Sequence, residues 1–162
     1  MRRVIVNSTP LIVLCKIGRL DILKNLYGEI IIPQAVFSEV TAKKDSVCRQ
    51  IREKEWIHVE QITDQSDKKM YRAKLHDGEV EVMILAQGMP KADLVVIDDN
   101  AAKKTAKYLG LTVTGTIGVL LRAKEAGIIE NVSPVIKEMK QRGFYISAEL
   151  ERIVLKQANE FL

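Results

Sequence analysis

Six side chains of this chain have the types and positions to act together: Asn7, Glu39, Glu79, Glu81, Asp98 and Asp99. Asn7 directly follows the apolar run Val4-Ile5-Val6, and Asp98-Asp99 directly follow Leu94-Val95-Val96-Ile97. In open α/β sheets ligands collect beyond the carboxyl ends of the strands, where strand order reverses, so polar residues at those ends are site candidates. The same residue types also make turns and cap helices. Glu81 stands in a segment opened by Gly78, whose Val80, Val82, Met83, Ile84, Leu85 and Ala86 cover nearly every direction around a helix axis. A helix apolar all round is buried. A buried carboxylate then needs a cation, a basic partner or a water-filled cleft, because burial alone is too costly. Glu79 falls in the first turn, where the helix dipole favours negative charge, and Asp77 is placed to cap it. Glu39 lies beside the apolar stripe of Val36 and Val40, where a salt bridge to a lysine competes with a role in a site.

Were these residues to converge, they would make an oxygen-rich pocket without histidine. That donor set suits a hard divalent cation, Mg²⁺ or Mn²⁺, held by carboxylates, carbonyls and water. Such an ion can activate a water and neutralise charge developing on a phosphodiester. Lys103, Lys104 and Lys107 follow Asp98-Asp99 on a helix, and Lys103 and Lys107 are four apart on one face. They read either as a solvated face or as a phosphate-binding rim. Competing motifs are weak. There is no GxGxxG, Thr116-Ile117 stands where a P-loop needs Lys-Ser/Thr, and no GxSxG elbow occurs. Phe144-Tyr145, Tyr71, Tyr108 and Trp56 form no basic-aromatic stripe of the RRM kind. A phosphoacceptor of the receiver type fits poorly, because Thr114-Gly115-Thr116 follow the last strand where a lysine is needed.

The elements that must position these groups alternate in type. Strands are predicted at 4–6, 29–32, 94–97 and Leu111–Thr114, with 56–62 as an edge strand. Helices are predicted after each, including one led by Pro33, a polar one near 64–75, and one from Ala101 to Leu109. Ser133-Pro134 and Ser147 mark the starts of two last helices. The pattern predicts an α/β fold of three layers with a central parallel sheet. Residues 1–130 are expected to form that domain, and 131–162 a helical extension packed on it or engaged in a dimer contact.

A chain of 162 residues can bury a real core. Its 47% hydrophobic and 28% charged residues exclude a disordered or disulfide-framed chain. The excess of 25 Lys and Arg over 21 Asp and Glu allows a polyanionic partner without requiring one. Cys15 and Cys48 form no CxxC, and His58 and His76 lie near neither, which excludes a zinc cluster and points to free thiols in a reducing cytoplasm. No apolar stretch reaches the roughly 18 residues of a membrane span. Asn7-Ser8-Thr9-Pro10 breaks the early apolar run, so no signal peptide is expected.

The segment VIVNSTPLIVLCKIGRLDILKNLYGEIIIPQAVFSEV resembles the opening of PIN-domain proteins, in particular the branch of nucleic-acid-binding PIN proteins described as a domain of unknown function. GEVEVMILA, LVVIDDNAAKKTAKYLGLTVTGTIGVLLRAKEAG and GFYISAELERIVLKQA continue the likeness over almost the whole chain. The resemblance implies an α/β/α fold and a metal-dependent ribonuclease acting on single-stranded or structured RNA. It also implies kinship with toxins of toxin–antitoxin pairs, with an antitoxin protein and a homodimer as expected partners. Asn7 falls at the family's first acidic position, Glu39 at the second, Glu79 or Glu81 at the third, and Asp98 or Asp99 at the fourth. Ser8 and Thr9 match the hydroxyl-bearing residues beside the first. Glu39, Glu81, Asp98 and Asp99 are the expected catalytic acids, with Asn7 and Glu79 joining them as metal ligands. Ser8, Thr9, Lys103, Lys104 and Lys107 are the expected contacts to nucleic acid. Most active PIN nucleases carry Asp where this chain has Asn7, which removes one formal charge and should lower metal affinity. The alternative to an endoribonuclease is therefore a PIN module that binds RNA or a protein without turnover.

Overall fold

Parallel strands buried on both faces read as continuous apolar runs, and three such runs form the middle of the five-stranded sheet here. The computed structural model describes residues 3–42, 46–62, 76–88 and 92–160. Within them the strands are β1 (Arg3–Val6), β2 (Ile30–Pro33), β3 (Ile57–Glu60), β4 (Ala92–Val96) and β5 (Val113–Thr114). All pair in parallel in the order β3-β2-β1-β4-β5, with Ile5 opposite Ile31 on one side and Val95 on the other. The chain winds outward from β1 to β3, then returns to the far side of β1 for β4 and β5. Strand order therefore reverses between β1 and β4. On β3 only Ile57 is buried and Val59 is exposed, as suits an edge.

The crossovers are α1 (Ser8–Lys16), α2 (Asp21–Tyr27), α3 (Gln34–Val40), α4 (Ser46–Glu53), α5 (Asp77–Gly88) and α6 (Asn100–Tyr108). After β5 come α7 (Thr116–Glu125), α8 (Ser133–Gln141) and α9 (Ala148–Gln157). Helices cover the sheet on both faces, giving the three-layer α/β/α architecture. The all-round apolar helix α5 packs against α3 and against β1, β2 and β4, which buries Val80, Val82, Met83, Leu85 and Ala86. The helix expected near 64–75, and Tyr71 with it, lie outside the described residues. Among the described residues no helix is long and apolar enough to cross a membrane.

Val135, Ile136 and Met139 of α8 and Val154 of α9 are buried in the same hydrophobic core as the sheet. Helix α8 starts one residue earlier than its Ser-Pro pair suggests, with Val132 at the cap and Pro134 in the first turn. The reason is a long-range cap. The Glu160 carboxylate accepts from the Val132 N–H at 2.7 Å and the Ser133 N–H at 2.9 Å, satisfying donors at the mouth of the helix that have no intrahelical partner. Lys124 on α7 pairs with the same carboxylate at 3.1 Å and also donates to the Ala158 carbonyl. Arg19, in the turn after α1, grips Glu138 of α8 with two hydrogen bonds of 3.0 and 3.2 Å.

Candidate functional site

The reversal of strand order places Asn7 at the end of β1 and Asp98 just beyond β4 at adjacent points of the sheet. The Asn7 N–H donates to the Val96 carbonyl at 2.9 Å, which fixes the residue between the two strands. Its side chain is buried, and Oδ1 has no hydrogen-bond partner. A buried carbonyl oxygen in that condition costs free energy. Gly78 explains how other groups reach it. A Cβ at that position would lie 3.1 Å from Glu39 Oε2, 3.2 Å from Val36 Cγ2 and 3.5 Å from Asn7 Oδ1. The missing side chain leaves a cradle in which the Glu39 carboxylate and the Asn7 amide face the start of α5.

Glu79 and Glu81 are both buried, yet they have different partners. Glu79 reaches back to accept from the His76 N–H at 3.0 Å, so the helix is capped from His76, one residue before Asp77. Burial pushes the Glu79 carboxyl above its usual range, and the negative charges of Asp99 and Glu39 push it further against the His76 N–H and ring. Glu79 therefore shares an electrostatic field with Asp99 and Glu39. Glu81 Oε1 accepts from the Ala35 N–H at 2.9 Å, tying α5 to the N-terminal turn of α3. An open cleft of about 690 Å³ runs over this junction, lined by Gln34, Ser38, Glu39, His76, Asp77 and Glu81 among others.

On the β4 side, the two adjacent acids divide their work. Asp99 caps α6 by accepting from the Ala102 N–H at 2.9 Å. Asp98 Oδ1 accepts from the Thr116 N–H at 2.8 Å and Oδ2 from the Thr116 hydroxyl at 2.6 Å. Thr116 is fully buried, so this pair of bonds locks the carboxylate. A Cβ at Gly115 would lie 2.7 Å from Asp98 Oδ1 and 2.8 Å from Lys103 Nζ, so only glycine leaves room there for both side chains. The sequence reading set Thr116 aside as a failed P-loop residue. Its signal is positional, since it opens a helix just after a strand, as Ser8 does after β1.

The remaining expected residues distribute unevenly. Ser8 is buried in the first turn of α1 and Thr9 is exposed beside it. Lys103 and Lys107 line a cleft of about 650 Å³ that opens at Asp98, whereas Lys104 is exposed on the same helix outside it. Among the described residues no three acidic, histidine or cysteine side chains stand in a ready metal-ligating cluster. The donor chemistry nevertheless fits a hard divalent cation. It comprises an unpartnered buried amide oxygen at Asn7, the Glu39 carboxylate facing the same cradle, and Glu79 with its proton affinity raised in the field of its neighbours.

A family model described as a PIN domain matches residues 3–160. Neither a curated protein nor a solved structure matches the chain. PIN domains are generally nucleases and typically use divalent metals. With the match running from β1 to beyond α9, over a parallel sheet whose polar strand ends gather where strand order reverses, the chain belongs to the PIN-domain family.

Proposed function

We propose that this protein is a metal-dependent endoribonuclease that hydrolyses RNA phosphodiester bonds. The observation that carries the reading is the unpartnered Asn7 Oδ1, buried at the switch point and facing, with the Glu39 carboxylate, the cradle left by Gly78. Asn7, Glu39, Glu79 and the Asp98-Asp99 pair would hold Mg²⁺ or Mn²⁺, with Glu81 fixing α3 and so positioning Glu39. When bound, the ion supplies water activation and neutralises charge on the phosphate. The chain contributes the rest. Thr116 holds Asp98 in one orientation, and Lys103 and Lys107 present cations to the phosphates of the strand.

Single-stranded RNA incubated with metal-stripped protein, with and without Mn²⁺, tests the reading beside an Asp98→Asn, Asp99→Asn double variant. Cleavage that needs Mn²⁺ and disappears in the variant is the expected result. Folded protein that leaves several RNAs intact would instead support a binding module, a reading favoured by the neutral Asn7 in place of an acid. Thr116 provides a finer check. Thr116→Val should lower turnover by about tenfold through loss of the hydroxyl bond to Asp98, and Thr116→Ser should restore most of it. Equal activity of the Val and Ser variants would remove Thr116 from the positioning role.

A further inference from the structure

We propose that Tyr145 is a stacking platform for one nucleobase of the bound single strand, set on a ridge whose flanking cations hold the phosphates on either side. The inference rests on the nucleic-acid reading above and adds a subsite to it. Its origin is local. Gly143, at φ +94°, ends α8, its N–H donating to the Lys140 carbonyl while the Phe144 N–H donates to the Met139 carbonyl. This left-handed turn is the usual helix stop, and the two aromatics after it part company. Phe144 packs partly against the core, whereas Tyr145 is 85% exposed.

Two clefts meet at this ring. The larger begins at Asp98, carries Lys103 and Lys107, and ends at Phe144, Tyr145 and Ile153. The smaller, of about 240 Å³, is lined by the same two aromatics together with Thr9, Lys16 and Arg142. The Tyr145 ring thus stands between two pairs of cations. Among the described lining residues the sole carboxylate is Asp98, and both of its oxygens are engaged by Thr116. Cationic grooves interrupted by exposed aromatic rings are what a single strand requires, because phosphates track the charge while each base offers a face for stacking. The apolar wall at Val113, Ile117 and Ile153 suits a base or ribose face.

The test is the affinity of a 12-nucleotide single-stranded RNA, followed by fluorescence anisotropy at low salt in EDTA. Tyr145→Ala should weaken binding by roughly tenfold, and Tyr145→Phe should bind as wild type does. An abasic spacer moved through the RNA should erase the Tyr145→Ala penalty at one position. Equal affinity of wild type and Tyr145→Ala, with RNA still bound and cleaved by wild type, overturns the platform and leaves the nuclease standing. Absence of RNA binding by wild type overturns both. Binding that depends on Tyr145 without any cleavage supports the platform and defeats the nuclease reading. A sedimenting mass that falls from dimer to monomer on Tyr145→Ala or Ile153→Glu would make the groove an interface between copies, and would overturn the platform.

Discussion

Glu79→Gln is expected to raise the melting temperature of the metal-free protein at neutral pH and to abolish cleavage. Burial, before all else, raises the proton affinity of this carboxyl, with Asp99 and Glu39 adding to it. The folded protein therefore binds that proton more tightly than the unfolded chain does. Stability from this group is complete below the ordinary Glu pKa of roughly 4.3 and is lost as pH rises through the higher folded value. Glutamine keeps an oxygen for the His76 N–H and escapes the loss. The gain should be about 2–4 °C for each kcal/mol recovered in a chain of this size, vanishing near pH 4. Mn²⁺ should raise the wild-type melting temperature, since it binds only the folded site, and should raise that of Glu79→Gln far less. Cleavage should fall by at least about a hundredfold, the upper end of what losing a ligand's supporting partner costs at metal sites. Calorimetric scans at pH 4 and 7, with and without Mn²⁺, decide the matter. A variant less stable than wild type at neutral pH would show Glu79 to be a structural cap.

Asn7→Asp should act in the opposite sense. It places a carboxylate where a buried amide oxygen lacks a partner and where Glu39 faces the same cradle. A buried charge with no partner is expensive, so the metal-free variant should melt several degrees below wild type at neutral pH. Mn²⁺ should repair that deficit, bind about tenfold or more tightly by titration calorimetry, and raise cleavage at limiting metal. Unchanged Mn²⁺ affinity would mean that position 7 is not a ligand.

Much of the fold was legible because a strand buried on both faces leaves an unbroken apolar run. Val4–Val6 and Leu94–Ile97 announced the two central strands and, through Asn7 and Asp98, the place where their polar ends meet. The burial of α5 was equally readable from its lack of a polar face. What periodicity could not reveal is which face of α5 looks toward β1. Glu79 and Glu81 lie about 200° apart around the axis, and only the docking of α3 assigns one to Ala35 and the other to the field of Asp99 and Glu39. The Glu160 cap of α8 was hidden for a related reason: its acceptor comes from beyond α9, and local sequence shows only Ser133. Thr116 and Tyr145 stood out in the sequence only as parts of motifs that fail, because a hydroxyl after a strand and a lone aromatic in a loop acquire meaning from neighbours far away in sequence.

The pairing of β1 with β4 also sets a timetable for the newborn chain. Val96, whose carbonyl receives the Asn7 N–H, emerges on the order of ten seconds after Asn7 at ordinary rates of synthesis. Until then the edge of β1 that receives β4 stays unpaired. Contacts of such long sequence separation form slowly, so the switch point between β1 and β4 is assembled late, after the helices that flank it have been made.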